Sequence, residues 1–138
     1  MKIQVIPVGP LATNCYLLGD EKTGECAIID PGAQAERKIF PALEEFGMKC
    51  TKILLTHGHF DHVMALRDVK DKTGAAICIH KNDAPMLTEE YQSTWKALAA
   101  RGYRQALADR MLEDGDTVQV GNLTVRVMPV SYTHLTLP

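Results

Sequence analysis

The six residues from His57 to His62, which read H-G-H-F-D-H, constrain this chain more than any other part of its sequence. They contain three of the five histidines of the protein and one carboxylate. Imidazole and carboxylate groups are the side chains that bind zinc, manganese or iron at neutral pH. A His-rich solvated loop is the alternative interpretation, but such dense spacing of donors favours a metal site, and one that holds two metal ions.

The spacing of the donors also indicates how they are shared between two metals. Residues two apart in an extended loop point the same way, so His57 and His59 can converge on one ion. Asp61 and His62 are adjacent in sequence and are better placed to hold a second ion beside the first. Thr56, directly before the motif, either orients a ligand by hydrogen bonding or is a solvated hydroxyl at the end of a strand.

Short runs of alternating apolar residues predict strands through much of the chain. We predict strands at residues 1–8, 14–18, 26–29, 52–55, 76–80, 116–120 and 123–128. Helical spacing predicts helices at 36–46 and 63–72, a helix start at 83–85 and a further helical stretch over 94–111. Hairpins followed by strand-helix-strand units indicate an α/β fold, with a mixed sheet packed by helices.

The composition narrows the classes of partner. An apolar fraction of 46% and a charged fraction of 23% are typical of an ordinary soluble globular protein, and 138 residues suit one domain or part of a larger one. A net charge of −2 gives no electrostatic footprint for nucleic acid or for an anionic membrane. No signal peptide or membrane-spanning stretch is seen, so we expect a cytoplasmic protein.

The four cysteines are scattered singly and lie beside apolar neighbours. This pattern favours buried thiols in a reducing compartment, and thiolate metal ligands are the alternative. The cysteines are Cys15, Cys26, Cys50 and Cys78.

Thr56 to His62 resembles the signature of the metallo-β-lactamase fold superfamily. Residues 14–18 and the turn Asp30-Pro31-Gly32 resemble the strand and turn that precede this signature. The similarity extends over residues 1–130 and is closest to the small glyoxalase II-like, or hydroxyacylglutathione hydrolase-like, hydrolases. It implies an αββα sandwich, of which this chain supplies the N-terminal half to two-thirds.

The resemblance also implies a binuclear site with two divalent metal ions, for which zinc is favoured and manganese or iron are alternatives. It places His57 and His59 on one metal and Asp61 and His62 on the other. Asp30 is implied to lie near the site, where a carboxylate can fix the orientation of the ligands. Asp61 is also expected to receive or orient a proton.

The chemistry of such a site favours hydrolysis. Two adjacent cations lower the pKa of a water held between them, so that hydroxide can attack a carbonyl carbon at neutral pH. His59 stands where related oxygen-reducing diiron proteins have a carboxylate, which disfavours redox chemistry. The sequence therefore predicts a hydrolase that uses a metal-bound hydroxide on a small-molecule thioester, such as S-lactoylglutathione, or on an ester.

Other functions remain open at this point. Lactonases, β-lactamases, sulfur dioxygenases and RNA-processing nucleases share much of the motif, although the absence of a basic patch weighs against a nuclease. A non-catalytic metal-binding module is a different class of function. It is disfavoured because a structural zinc site needs four closed ligands, often including cysteine, and no cysteine lies near the motif. The substrate, the metal and the oligomeric state are not specified by the sequence.

The end of the chain departs from the family's pattern. The resemblance implies three further ligands after residue 128: a histidine, a bridging aspartate and a last histidine. His134 lies close to the first of these positions, but the expected glycines and prolines around it are absent. His80, at the end of a predicted strand, is a second candidate donor, although a structural histidine is more typical there. We therefore expect a partial domain at 1–130, a tail of doubtful origin at 131–138, weak metal binding and little or no hydrolysis.

Overall fold

The computed structural model describes residues 1–8, 13–32, 35–56, 66–87, 96 and 106–128. The described strands form a six-stranded sheet and a separate two-stranded sheet. The strands of the large sheet are β1 Lys2–Val8, β2 Thr13–Asp20, β3 Glu25–Ile29, β4 Lys49–Leu55, β5 Ala76–His80 and β6 Arg110–Leu112.

The large sheet is mixed, as the sequence predicts. Its strands lie in the order in which they occur in the chain, from β1 to β6. The pairs β1–β2 and β2–β3 are antiparallel, whereas β3–β4, β4–β5 and β5–β6 are parallel. The carboxyl ends of β3, β4 and β5 therefore meet at one edge of the sheet, where α/β proteins commonly place their sites.

Two helices cover one face of this sheet. Helix α1, Ala35–Phe46, connects β3 to β4, and helix α2, Leu66–Thr73, lies between β4 and β5 in the chain. Both helices turn an apolar stripe of helical period toward the sheet. The stripe of α1 consists of Ile39, Ala42 and Phe46, and that of α2 consists of Leu66 and Val69; all five side chains are buried in one cluster with the strands.

The two-stranded sheet packs against the opposite face. It consists of β7 Thr117–Val120 and β8 Leu123–Arg126, an antiparallel hairpin with its turn at residues 121–122. Val118 and Val120 are buried together with Ala27, Leu54 and Cys78 of the large sheet. The described residues therefore build helix, sheet and second sheet layers, which is the order that an αββα sandwich requires.

A buried carboxylate ties the two sheets together. Asp20, at the end of β2, is 4% exposed. Its carboxylate accepts hydrogen bonds from the Lys22 amide at 3.1 Å and the Thr23 hydroxyl at 2.9 Å within its own hairpin. It also accepts one from the Asn122 amide, at 2.7 Å, in the turn of the second hairpin. One side chain thus fixes the position of β7 and β8 on the large sheet.

Most of the sequence-based assignments are confirmed, but one is wrong in part. The helical stretch predicted over 94–111 does not reach its predicted end, because residues 110–112 form β6. This strand pairs in parallel with β5, matching Cys78 with Arg110 and Ile79 with Met111. The three residues of β6 are too few to carry a strand pattern, so pairing with a distant part of the chain decides their structure.

The helix start that we predict at 83–85 corresponds to a short 3-10 helix, Ala84–Leu87. Strand β4 is also longer than predicted and begins at Lys49. All four cysteines are buried and free, as the sequence predicts. Within the described residues, no helix has the length and apolar character needed to cross a membrane.

Candidate metal centre

The predicted metal ligands lie directly beyond the described end of β4. Leu55 is the last residue of this strand, and Thr56 is the last described residue before the motif. His57, His59, Asp61 and His62 lie outside the described residues, as does His134. The described structure therefore fixes the position from which the motif departs, at the carboxyl edge of the parallel strands.

Asp30 holds this point of departure. Its carboxylate accepts a hydrogen bond from the Thr56 amide at 2.9 Å and another from the Thr56 hydroxyl at 2.6 Å. The two residues are 26 positions apart in sequence but follow the neighbouring parallel strands β3 and β4. Charge-assisted hydrogen bonds of this kind are stronger than neutral ones, so the peptide that leads into His57 has a defined orientation.

The backbone of Asp30 is adapted to this role. Its φ is +56°, the left-handed region that aspartate and asparagine tolerate better than other non-glycine residues. Its amide donates to the Leu54 carbonyl oxygen at 3.0 Å. Asp30, Pro31 and Gly32 are all buried. The turn is held by the backbone hydrogen bond to Leu54 and by the side-chain hydrogen bonds to Thr56.

The hydroxyl of Thr56 donates to Asp30 and is therefore not simply a solvated hydroxyl. That Thr56 orients a metal ligand stays a prediction, because the predicted ligands lie outside the described residues. Asp30 lies beside the start of the motif, as the resemblance implied. No motif pattern would have paired these two residues from the sequence alone, because the contact depends on the parallel register of β3 and β4.

The buried cysteine nearest to this edge stays protonated. Burial raises the pKa of the Cys15 thiol, and the negative charge of Asp30 raises it further. Burial likewise raises the pKa of Cys78, which lies between the two sheets. Since thiolates rather than thiols bind metals, neither residue is suited to be a ligand.

His80 is engaged at both ring nitrogens. Its Nε2 lies 3.0 Å from Oδ1 of Asp114, and its Nδ1 accepts a hydrogen bond from the Asn82 amide at 3.1 Å. The amide contact leaves Nδ1 as an acceptor, so Nε2 carries the proton that Asp114 accepts. This arrangement agrees with a structural histidine at the end of β5. No sequence pattern pointed to Asp114, which lies 34 positions away.

No group of three or more potential ligands gathers anywhere in the described parts of the chain. The predicted donors of the motif, three imidazoles and a carboxylate, lie outside the described residues and stay a prediction. The Asp30–Thr56 pair fits the same assignment, because metal ligands are usually oriented by a surrounding shell of hydrogen bonds.

Comparison with known families gives an independent result. Residues 8–136 match the family model described as the metallo-beta-lactamase superfamily. An uncharacterised protein of Aquifex aeolicus is 38% identical over 132 residues, which cover 93% of this chain and 59% of that protein. A probable metallo-hydrolase of Bacillus subtilis, YqgX, is 32% identical, with coverage of 88% and 56% respectively. The hydroxyacylglutathione hydrolase GloC of Haemophilus influenzae is 44% identical over 77 residues, or 56% of this chain and 35% of GloC.

Solved structures share the fold. The B3 metallo-beta-lactamase BLEG-1 superposes with a TM-score of 0.75 at 30% identity, over 91% of this chain and 59% of its own. TTHA1623, solved in a di-iron-bound form, gives a TM-score of 0.64 at 29% identity, over 83% of this chain and 56% of its own. The class B3 di-zinc metallo-beta-lactamase LRA-12, from an Alaskan soil metagenome, gives a TM-score of 0.67 at 26% identity, over 83% of this chain and 45% of its own. These curated relatives match most of this chain, but the chain spans about six tenths of their own length.

Proposed function

Because this chain belongs to the metallo-β-lactamase superfamily, we propose that it is part of a metal-dependent hydrolase whose site is built on His57, His59, Asp61 and His62. The observation that carries the proposal is the Asp30–Thr56 pair. A fully buried carboxylate fixes the residue that precedes the first histidine, at the edge of the sheet where the parallel strands end. A hydrogen-bonded anchor at this point is useful chiefly to a loop whose side chains need fixed positions.

Two divalent cations, when bound, would supply Lewis acidity toward a carbonyl oxygen and a water of lowered pKa. His57 and His59 would hold one cation, and Asp61 and His62 the other. Zinc is the favoured metal, and the di-zinc LRA-12 and di-iron TTHA1623 are similar proteins that hold pairs of metals. Asp61 would also orient the attacking water by accepting its proton in a hydrogen bond. Asp30 acts through Thr56 and is a positioning residue.

A thioester is the substrate class that we favour. The support is the similarity to GloC, which is named as a hydroxyacylglutathione hydrolase. This similarity covers 77 residues, or 56% of the chain, and it supports a thioester substrate from that part of the chain. The whole substrate pocket of such an enzyme would also draw on sequence that this chain does not share with its longer relatives.

A β-lactam or a lactone is the second candidate. BLEG-1 is named as a B3 metallo-beta-lactamase and covers 91% of this chain at 30% identity. Attack on a strained cyclic amide or ester uses the same nucleophile and the same oxyanion stabilisation as attack on a thioester. A non-catalytic metal-binding module is the third candidate, and it predicts bound metal without turnover.

Metal binding tests the site directly. Because the motif supplies two ligands for each metal, we expect zinc to bind weakly in wild type, measured by competition with a weak chelator, and binding to be lost in His59→Ala. His80→Ala is the matched control, because both ring nitrogens of His80 are already engaged with Asn82 and Asp114. Equal zinc content in wild type and His59→Ala would contradict the proposed site.

Hydrolysis is tested with a panel of thioesters, esters, lactones and β-lactams in the presence of zinc, manganese or iron. The panel is run on the chain and on a hybrid in which the matching C-terminal part of the Aquifex aeolicus relative follows residue 128. We expect thioester turnover in the hybrid and its loss in the hybrid with Asp61→Asn. Metal binding without turnover of any member of the panel would favour the non-catalytic module.

A further inference from the structure

Two of the four buried thiols lie side by side on the helix-covered face of the large sheet. Cys26 of β3 and Cys50 of β4 are register partners in the parallel pairing of these strands. Both belong to the same buried cluster, and each thiol shifts the pKa of the other. The Cys50 thiol also donates a hydrogen bond to the Lys52 carbonyl oxygen at 3.4 Å. Partners on neighbouring strands have Cα atoms about 5 Å apart, which lies within the range of roughly 4.4–6.8 Å that disulfides span.

A β-bulge makes this pairing depart from a regular sheet. Cys26 pairs with Cys50, but the next residue of β3, Ala27, pairs with Lys52. Thr51 is therefore an extra residue on β4, and Cys50 and Ile53 both face the helices. Bulges bend and twist the strand that carries them. The two thiols therefore do not have the regular side-by-side geometry of a flat sheet, in which a disulfide between adjacent strands is strained.

Cys50, unlike Cys26, reaches a cavity. Cys26 is fully buried and Cys50 is 6% exposed. A cavity of about 320 Å³ lies against Cys50 at the end of the strands that is remote from Thr56. Its apolar walls come from Phe40 and Leu43, and its charged groups are those of Glu44, Lys49 and Lys72. The volume admits a small polar oxidant.

The two thiols titrate as a pair. The hydrogen bond with Cys50 lowers the pKa of Cys26, and the same interaction, together with burial, raises the pKa of Cys50. The first proton therefore leaves the pair more easily than the second, and these directions favour the thiolate on Cys26 with the proton kept on Cys50.

We propose that Cys26 and Cys50 form a reversible oxidation site, in which hydrogen peroxide converts the dithiol to an intramolecular disulfide. One sulfur of the pair attacks a peroxide oxygen as the thiolate, the O–O bond breaks, and hydroxide leaves to give a sulfenic acid on that sulfur. The other sulfur then attacks it, forming the S–S bond and expelling water after protonation. The dithiol loses two electrons and two protons, and one peroxide is reduced to two waters.

The positions of the other two cysteines do not allow them to replace Cys26 or Cys50 in this disulfide. Gly19 of β2 is the register partner of Cys26, and Cys15 lies four residues along this strand, roughly 13 Å away. Cys78 faces the second sheet, on the opposite side of the large sheet. The site is independent of the proposed hydrolase function, since it uses none of its residues.

The test treats the whole chain with a small excess of hydrogen peroxide, with a chelator present to remove adventitious metal. We expect the number of thiols titrated under denaturing conditions to fall from four to two, the intact mass to fall by two hydrogens, and dithiothreitol to reverse both changes. Trypsin should then release the peptides 23–37 and 50–52 joined by a disulfide. A thiol count that stays at four, a cross-link that involves Cys15 or Cys78, or sulfinic acid at Cys50 without a disulfide would each overturn the proposal.

Variants add a control that does not depend on peptide mapping. The double variant Cys15→Ala with Cys78→Ala should still lose both of its remaining thiols on oxidation. Cys26→Ala and Cys50→Ala should each leave the remaining sulfur of the pair without an intramolecular disulfide, and its sulfenic acid should be labelled by a 1,3-dicarbonyl reagent. Loss of the mass change in the double variant would count against the assigned pair, and the wild-type peptide map decides the question if Cys26→Ala does not fold.

Discussion

The carboxylate of Asp30 holds Thr56 through both of its oxygen atoms, at 2.9 Å to the amide and 2.6 Å to the hydroxyl. This contact joins the ends of two parallel strands and sets the direction of the chain as it enters the histidine-rich segment. Asp30 takes a left-handed backbone conformation to make it. The pair is thus both a stabilising contact of the fold and the anchor of the proposed metal site.

Replacement of Asp30 should separate these two effects. Asp30→Asn keeps the tolerance for a positive φ but loses the charge, and it should cost about 1–3 kcal/mol of unfolding free energy. Asp30→Ala removes both hydrogen bonds from Asp30 to Thr56 and adds backbone strain, so about 2–4 kcal/mol is expected. Metal affinity should fall by about 10–100-fold in both variants. Urea denaturation and chelator competition measure the two quantities, and wild-type values of both in Asp30→Ala would contradict the assigned role.

Gly121 should not tolerate a side chain. It has a φ of +59°, and a Cβ atom would lie 2.6 Å from Oδ2 of Asp20 and closer still to the Thr23 hydroxyl. Neither atom can move away without breaking the hydrogen bonds of Asp20. Gly24 is the matched control, because its φ is +75° but nothing lies within 4 Å of the added atom.

Gly24→Ala should therefore cost about 1 kcal/mol from backbone strain alone. Gly121→Ala should cost about 1–3 kcal/mol more, as is usual for overpacking. Denaturation midpoints of the two variants give this difference, and equal costs would mean that the second hairpin is not held against Asp20.

Asp20 should make the stability of the fold depend on pH in acid. The hydrogen bond from the Asn122 amide lowers the pKa of Asp20, and those from Thr23 and Lys22 lower it further against the opposing effect of burial. A carboxyl whose pKa is lower in the folded state stabilises the fold above its unfolded value, about 3.9. This contribution is lost as the pH falls through the lowered folded value.

The matched variant is Asp20→Asn, which keeps the size of the side chain but cannot titrate. Because Asp109 also has a lowered pKa, the quantity to measure is the difference between wild type and Asp20→Asn. Urea midpoints from pH 6 to pH 2 should converge as the pH falls. A difference that stays constant over this range would show that Asp20 does not contribute through its charge.

The first strand should promote self-association. Ile3 and Val5 of β1 are 56% and 51% exposed, and β1 is at one end of the strand order of the large sheet. Exposed apolar side chains on a strand with an unpaired edge are a common route to aggregation. The double variant Ile3→Thr with Val5→Thr keeps strand propensity and should aggregate less, as measured by light scattering during heating. Met128→Thr is the control, since Met128 is 67% exposed but lies outside β1.

The local order of the chain could be predicted because it depends on short-range patterns. Alternation marked the strands, Gly121-Asn122 marked the hairpin turn, and apolar spacing marked α1; the structure has all three. Strand β6 was missed because a strand of three residues has no periodicity of its own. It forms because Arg110 and Met111 meet Cys78 and Ile79 of β5.

The sequence by itself predicted the class of the site, because three histidines and an aspartate in six residues are a set of donors typical of a metal centre. Only the tertiary structure decided which other residues act with them. Asp30 reaches Thr56, and Cys26 meets Cys50, because the parallel register of β3 and β4 brings together residues about 25 positions apart. Such register is set by packing of the helices and sheets on both faces, which no local pattern encodes.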